Sequence, residues 1–170
     1  ILSSHKRTIC LWVKVDALGG SLFEYGSSAT GYFGLRQSQT LTATFEVVLG
    51  SSTEVTIDGS DVGWHHYCMT YDGADTTFLY FDGAQKASFT EALNTGSESP
   101  LSLGGNVTVG RYLTGAIDEV YVYSMDLDAA AIKALYDGKV GRYLTGAIDE
   151  VYVYSIAKDA AAIKALYDEV

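Results

Sequence analysis

Two pairs of titratable residues have types that could carry chemistry. The first is Asp118-Glu119 and the second is His65-His66. Paired carboxylates act as acid and nucleophile or base in most glycosidases, and histidines serve as general acids, general bases and metal ligands. Both pairs lie in segments predicted as β-strands, where adjacent side chains point to opposite faces. We therefore predict that neither pair acts together on one bond or one metal ion.

Other features of the sequence exclude several classes of function. A formal net charge of −10 disfavours nucleic acid, whose phosphates need a basic surface. No apolar run reaches the length that spans a bilayer, and neither a phosphate-binding loop nor a nucleophile elbow occurs. The first residue is Ile1 rather than Met, which we interpret as a processed or excised piece. We expect no nucleic acid partner and no membrane insertion.

The two cysteines, Cys10 and Cys68, do not have a metal-ligand spacing. They are compatible with one disulfide between strands of a secreted protein. They are equally compatible with two buried thiols that act as small hydrophobic side chains. The sequence leaves both alternatives open.

Aromatic side chains near predicted turns and strand ends are the candidates for ligand binding. An exposed aromatic face stacks on the apolar face of a sugar, while its polar tip stays hydrated. The predicted ligand-binding residues are Tyr25, Tyr32, Arg36, Trp64 and Tyr71. The alternative for each of them is packing on a half-buried strand face, which is common in all-β proteins.

Short strands separated by turn residues account for most of the chain. Residues 8–15 are apolar on both faces, which predicts a central strand, and residues 41–48 alternate between apolar and polar positions. The pairs Asp72-Gly73 and Asp82-Gly83 predict tight turns in a three-stranded meander. Further strands are predicted at residues 21–25, 32–36, 54–58, 107–111 and 115–124. This pattern predicts an all-β fold, an antiparallel two-sheet jelly-roll sandwich.

A long segment occurs twice. Residues 109–124 recur without change as residues 140–155, and residues 128–137 recur as residues 159–168, an offset of 31 positions. Each copy reads as a turn, a strand and a short helix, so the fold carries one short helix per repeat unit. In the first helix Asp128 caps the first turn, and three residues at helical spacing form its apolar face, namely Ile132, Leu135 and Tyr136.

Four ordered motifs resemble the laminin-G-like branch of the concanavalin A-like lectin/glucanase superfamily. They are Ile9-Cys-Leu-Trp-Val-Lys14, Gly63-Trp-His-His66 with Thr70-Tyr-Asp-Gly73, Leu79-Tyr-Phe-Asp-Gly83, and Gly115-Ala-Ile-Asp-Glu-Val120. The resemblance implies a two-sheet jelly roll, usually extracellular, that binds glycans or proteins and in some members holds a structural calcium ion. It places Asp118 where family members tie the closing strand to nearby loops, sometimes through calcium, and we favour the alternative of a hydrogen-bonded or solvated aspartate.

The sequence also departs from the family in two ways. Family members usually begin with an additional strand, which only residues 1–7 could supply here, so the module lacks a recognisable first strand. The catalytic relatives carry a Glu-x-Asp-x-x-Glu string, and none occurs in this sequence. The resemblance therefore implies a sandwich over residues 1–138 that is not an enzyme, followed by residues 139–170 as a tandem duplicate of the closing unit.

The duplicated strand suggests self-association. Both of its faces are mainly apolar, and the family fold has one position for it, beside the strand that is missing here. The predicted self-association residues are Ile148, Val151, Tyr152, Val153 and Tyr154. The second copy could complete its own sandwich or enter a neighbouring one to give a swapped oligomer or a filament. The alternative is a duplication that extends the sheet or forms a tail.

We interpret the chain as a non-catalytic, extracellular or cell-surface module for carbohydrate binding or adhesion. Its expected partner is a glycan or a surface protein, and its only expected cofactor is the structural calcium ion. The alternative function is a structural subunit that assembles through the duplicated strand, and a glycoside hydrolase or lyase is a further alternative.

Overall fold

The described part of the chain folds into antiparallel β-strands and a helix. The structure is a computed structural model that describes residues 4–17, 19–27, 31–37, 44–50, 53–58, 63–95, 100–106 and 110–139. In chain order its elements are β1 Arg7–Ala17, β2 Ser21–Ser27, β3 Gly31–Gln37, β4 Thr44–Gly50, β5 Thr53–Asp58, β6 Trp64–Tyr71, β7 Thr76–Phe81, β8 Ala84–Thr90, β9 Ser102–Leu103, β10 Gly105–Asn106, β11 Arg111–Tyr112, β12 Thr114–Tyr123 and α1 Ala129–Lys139.

Two antiparallel sheets form the sandwich. Sheet I has the strand order β12-β1-β6-β7-β8, and sheet II has the order β5-β4-β3-β2-β9. Strands β10 and β11 pair with each other as a separate two-stranded ribbon. The predicted all-β, two-sheet jelly-roll fold is therefore confirmed, with β1 in the interior of its sheet and the closing strand β12 beside it.

The hydrophobic core fills the space between the two sheets. Alternate residues along each strand face this space, because successive side chains of a strand point to opposite sides. Sheet I and sheet II contribute fully buried residues that include Leu11, Met69, Leu79, Phe33, Leu35 and Phe45. The predicted inward positions Phe45 and Val47 are confirmed, whereas residues 41–43 lie outside the described residues.

Turn chemistry sets the register of the meander formed by β6, β7 and β8. Asp82 and Gly83 both have positive φ, 49° and 75°, which a two-residue hairpin turn between right-twisted strands requires. In the preceding turn, Oδ1 of Asp72 accepts hydrogen bonds from the backbone N–H groups of Ala74, Asp75 and Thr76. Both predicted Asp-Gly turns are present.

Helix α1 covers the outer face of sheet I. The backbone N–H of Ala131 donates to Oδ1 of Asp128 at 2.8 Å, which is the predicted N-cap. Ile132 is fully buried against the cysteine pair, and Tyr136 stacks on Trp12 with ring centroids 5.7 Å apart. The predicted apolar face of the helix is therefore the face that packs on the sheet. Among the described residues, no helix has the length and apolar character needed to cross a membrane.

A β-bulge at Glu119 corrects the predicted faces of the closing strand. Regular alternation along the sequence predicts Asp118, Val120 and Val122 on one face. It predicts Glu119 and the two tyrosines of the strand on the other face. In the structure Glu119 adopts a positive φ of 48°, and the register of β1 with β12 shifts there. Because an extra residue reverses the alternation that follows it, Ile117, Val120 and Val122 pack on the core.

Candidate functional site

Two of the predicted ligand-binding tyrosines lie in the protein interior. Tyr71 is fully buried, and its hydroxyl donates to the carbonyl oxygen of Ala74 and accepts from the backbone N–H of Leu93. Tyr25 is 7% exposed and lies against the guanidinium of Arg7. Both rings belong to the core between the sheets, so the structure does not present either ring to a sugar.

The other three predicted residues lie on two different surfaces. Strand alternation places Tyr32 and Arg36 on the outer face of sheet II, with Tyr32 half-buried and Arg36 buried. Trp64 is half-buried and lies at the start of β6, opposite Lys14 of β1 in sheet I. The five predicted residues therefore do not converge on one site.

Arg36 is part of a charged cluster that also contains Glu46 and Arg111. Oε2 of Glu46 accepts a hydrogen bond from Nε of Arg36 at 2.9 Å and from Nη1 of Arg111 at 3.0 Å. Burial raises the pKa of Glu46, but the hydrogen bonds from the two arginines outweigh burial, so this pKa lies below its ordinary value. Glu46 therefore stays ionised at neutral pH, and its ion pair with Arg111 attaches β11 to sheet II.

Tyr112, the neighbour of Arg111, presents a large aromatic surface to solvent. Its side chain is 60% exposed, although large apolar surfaces usually pack inside. Its cross-strand partner is Gly105, where a Cβ atom would come within 3.1 Å of Cδ1 of the tyrosine ring. The backbone N–H of Leu113 donates to the carbonyl oxygen of Gly104, which holds the ribbon closed. The ribbon thus presents an exposed ring on a strand that Arg111 anchors to sheet II, an arrangement we call the Tyr112 platform.

Sequence reasoning did not select Tyr112 or Arg111. Residues 107–111 were predicted as a strand, but the structure places short strands at Gly105–Asn106 and Arg111–Tyr112, and residues 107–109 lie outside the described residues. The signal that could have indicated Tyr112 is its position between turn glycines in the duplicated segment, where it recurs as Tyr143.

The two adjacent histidines occupy different environments, as strand alternation predicts. Nδ1 of His65 lies 2.8 Å from Oδ2 of Asp82, and the backbone N–H of His66 donates to Oδ1 of the same aspartate. His66 is 1% exposed and packs against Trp12 with ring centroids 5.3 Å apart. Through these contacts His65 and Asp82 join β6 to the turn after β7, and His66 packs beneath Trp12.

His66 should make folding stability depend on pH. Burial lowers the pKa of His66 from 6.5 to about 4, and the charge of Asp82 offsets part of this effect. The native state binds a proton at His66 less readily than the unfolded state does, so a neutral His66 favours folding. This contribution to the free energy of unfolding is fully present above pH 6.5 and is lost as pH falls towards 4. The full loss is on the order of 3 kcal/mol. Denaturant unfolding between these pH values should show this slope, and His66→Phe should flatten it, whereas an unchanged slope would contradict the assignment.

The two cysteines form a disulfide. Cys10 of β1 lies directly opposite Cys68 of β6, with Cα atoms 4.1 Å apart, and the sulfurs are bonded. This decides between the two alternatives that the sequence left open. Cys10, His66 and Cys68 are the one group of three metal-ligand side chains that converges within the described residues. Their sulfurs form the disulfide, so this cluster is not a metal site in the oxidised protein.

Asp118, the predicted calcium ligand, is a buried and hydrogen-bonded residue of the closing strand. It is 7% exposed, and its Oδ1 accepts a hydrogen bond from the backbone N–H of Glu119 at 2.7 Å. Calcium takes six to eight oxygen ligands, and within the described ranges Asp118 belongs to no converging group of three such side chains. Calcium binding by this chain stays a prediction. The predicted self-association residues, Ile148 and those from Val151 to Tyr154, lie outside the described residues.

Solved structures with low sequence identity share this fold. Domain 4 of an extracellular arabinanase from Geobacillus stearothermophilus, solved with arabinotriose, is 20% identical over 80% of this chain and 68% of its own, with a TM-score of 0.63. A heptameric pentraxin from Limulus polyphemus is 14% identical over 80% and 71%, with a TM-score of 0.61. The binding domain of botulinum neurotoxin serotype D is 14% identical over 81% and 37%, with a TM-score of 0.62.

Sequence comparison agrees with the fold. No curated protein matches the chain. The family model of the concanavalin A-like lectin/glucanases superfamily, in its laminin G form, matches residues 1–133. This match covers most of the 170 residues and includes both sheets and the start of helix α1. The chain therefore belongs to the concanavalin A-like lectin/glucanase superfamily.

Proposed function

We propose that the chain is a non-catalytic carbohydrate-binding module whose contact surface is the Tyr112 platform. The observation that carries this proposal is the exposed ring of Tyr112 on strand β11, a strand that the Arg111–Glu46 ion pair anchors to sheet II. An immobilised aromatic ring offers a sugar a stacking surface at low entropic cost.

The comparisons support a glycan as the partner. The arabinanase domain was solved with arabinotriose, and the neurotoxin structure is a binding domain. The common feature is the jelly-roll framework, which positions loops and edge ribbons on a rigid core. Arabinotriose is therefore the first probe to test.

The contacts of the candidate acids support a non-catalytic function. Asp118 is buried and hydrogen-bonded to the backbone of its own strand, which leaves it poorly placed as a nucleophile. His66 is buried beneath Trp12 and helix α1. We also propose an extracellular location, because disulfides such as Cys10–Cys68 persist in oxidising compartments.

Replacing Tyr112 should weaken glycan binding. We expect Tyr112→Ala to reduce affinity for a bound oligosaccharide about tenfold, because a central aromatic contact is worth roughly 1–2 kcal/mol. The measurement is calorimetry with arabinotriose, followed by an array of neutral and acidic oligosaccharides. Since Tyr143 repeats the same local sequence, the double variant Tyr112→Ala/Tyr143→Ala is measured in parallel.

Met125→Ala is the matched control, since Met125 is also a large exposed side chain, at 53%, but lies beyond the opposite end of β12. It should leave affinity unchanged. Equal binding by wild type and the double tyrosine variant would contradict the Tyr112 platform as the site. A failure of the wild-type protein to bind any oligosaccharide of the array would contradict the proposed function itself.

A further inference from the structure

The last described strand and helix fill one position on the sandwich, which we call the closing slot. Strand β12 pairs along β1 from Tyr123 opposite Thr8 to Thr114 opposite Ala17. Helix α1 covers the outer face of sheet I above the disulfide. The slot is therefore a defined surface that binds one strand and one helix of a particular sequence.

The side chains that fill the closing slot occur a second time in the chain. The strand contributes Ile117, Val120 and Val122 to the core, and the helix contributes Ile132, Leu135 and Tyr136 to the outer face. Their counterparts 31 positions later are the same residue types, namely Ile148, Val151, Val153, Ile163, Leu166 and Tyr167. The chain thus contains one closing slot and two segments able to make these contacts.

We propose that residues 140–168 are an alternative occupant of the closing slot and exchange there with residues 109–137 of the same chain. Exchange would preserve the contacts of both the strand and the helix, because the residues that make them are identical. It would also keep an Arg-Tyr pair ahead of the strand, since Arg142 and Tyr143 take the places of Arg111 and Tyr112. The inference concerns the fold, and it stands whether or not the module binds glycan.

Two described contacts favour the first segment. Leu127 packs on the outer-face cluster, and the side chain of Asp126 forms an ion pair with Lys6 at 2.9 Å. In the second segment these positions hold Lys158 and Ala157, which supply neither an apolar side chain in place of Leu127 nor a carboxylate in place of Asp126. The connection from β10 to the strand in the slot is 31 residues longer when the second segment is the occupant. The entropic cost of closing this longer loop lowers the occupancy of the second segment roughly tenfold. The second segment is therefore the minor occupant in the unmodified chain.

The second segment could enter the closing slot of its own chain or that of a neighbouring chain. The observations favour its own chain. Each chain supplies one slot and two segments, so exchange between chains fills no additional slot. It does lose the translational and rotational freedom of a separate molecule. Exchange within one chain has no such cost. Swapped oligomers are therefore an outcome of the test rather than the proposal.

Paired substitutions in the full chain test the exchange. Val122 packs on the core opposite Ile9, so Val122→Asp should displace the first segment. We expect the thermal midpoint of this variant to fall only slightly, because the second segment replaces the first. The matched Val153→Asp should leave the midpoint unchanged, and the double variant should lower it by on the order of ten degrees or abolish folding. If Val122→Asp alone is as damaging as the double variant, the exchange does not occur.

Cross-linking identifies the occupant directly. Ala17 and Thr114 are exposed and lie opposite each other, and Thr145 is the counterpart of Thr114. In the Val122→Asp chain, Ala17→Cys with Thr145→Cys should form a disulfide within the monomer, seen by peptide mass mapping. In the chain without Val122→Asp, the disulfide between Ala17→Cys and Thr114→Cys should form in higher yield than the one between Ala17→Cys and Thr145→Cys. A 17–145 bond found only in disulfide-linked dimers would overturn exchange within one chain, and its absence in every species would overturn the alternative occupant. Neither readout depends on a sugar.

Discussion

Removing the disulfide should destabilise this domain by about 4 kcal/mol. The bond links residues 58 positions apart in the sequence, and closing a loop of that length removes this much conformational freedom from the unfolded chain. Both cysteines are fully buried between sheet I and helix α1, where Ile132 packs against them. Their loss therefore affects both the unfolded ensemble and the packing of the helix.

The measurement is chemical denaturation of Cys10→Ala/Cys68→Ala beside the unmodified chain. Cys10→Ser/Cys68→Ser should be less stable still, since it places two hydroxyls in an apolar environment. A loss below about 1 kcal/mol for the alanine variant would contradict the stabilising role. Because the bond joins two neighbouring strands of one sheet, the variant should keep its strand content where it remains folded.

Replacing Arg7 should lower the free energy of unfolding by about 3 kcal/mol, because it removes a buried and hydrogen-bonded charge from the core. Arg7 is fully buried at the start of β1, and its guanidinium carbon lies 5.2 Å from the ring centre of Tyr71 and 5.4 Å from that of Phe33. Nη1 donates to Oγ1 of Thr95, and Nε donates to the carbonyl oxygen of His5 at 3.0 Å. Burial lowers the pKa of Arg7, but contact with aromatic faces stabilises the cation.

Three substitutions separate the contributions of Arg7. Arg7→Ala removes the charge, the hydrogen bonds and the packing of the stem, so it should be the most damaging. Arg7→Lys keeps the charge without the planar group that stacks on the rings, and Arg7→Met keeps the apolar stem alone. Denaturant unfolding should rank both between alanine and the native residue. Equal stability of Arg7→Ala and the unmodified protein would show that the contacts with Tyr71 and Phe33 contribute nothing.

Local patterns in the sequence were sufficient for most of the long strands, helix α1 and the fold class, but not for the short strands of the β10–β11 ribbon. Alternating apolar residues predicted the strands, the Asp-Gly pairs predicted two turns, and Asp128 with Ile132, Leu135 and Tyr136 predicted the helix and its buried face. These features depend on interactions between residues close in sequence, which composition and spacing express directly. The motifs from Ile9 to Val120 then indicated the superfamily.

The candidate site depended on features that local patterns do not contain. Tyr25 and Tyr71 have the same residue type as Tyr112, yet the first two fill the core and the third is exposed, because the packing of two sheets decides which strand face is covered. The bulge at Glu119 reversed the faces of the closing strand, although no residue type in that strand requires a positive φ. These outcomes arise from contacts between distant segments.

The sequence by itself determined most of the long strands, helix α1, the family and the duplicated segment. Tertiary structure decided that Cys10 bonds to Cys68, that Glu46 joins Arg36 to Arg111, and that Tyr112 faces solvent. The physical reason is distance along the chain, since each of these contacts or exposures depends on how strands far apart in the sequence are placed together. For the duplication, the sequence supplied two identical segments, and only the fold showed that β1 and sheet I hold a position for one of them.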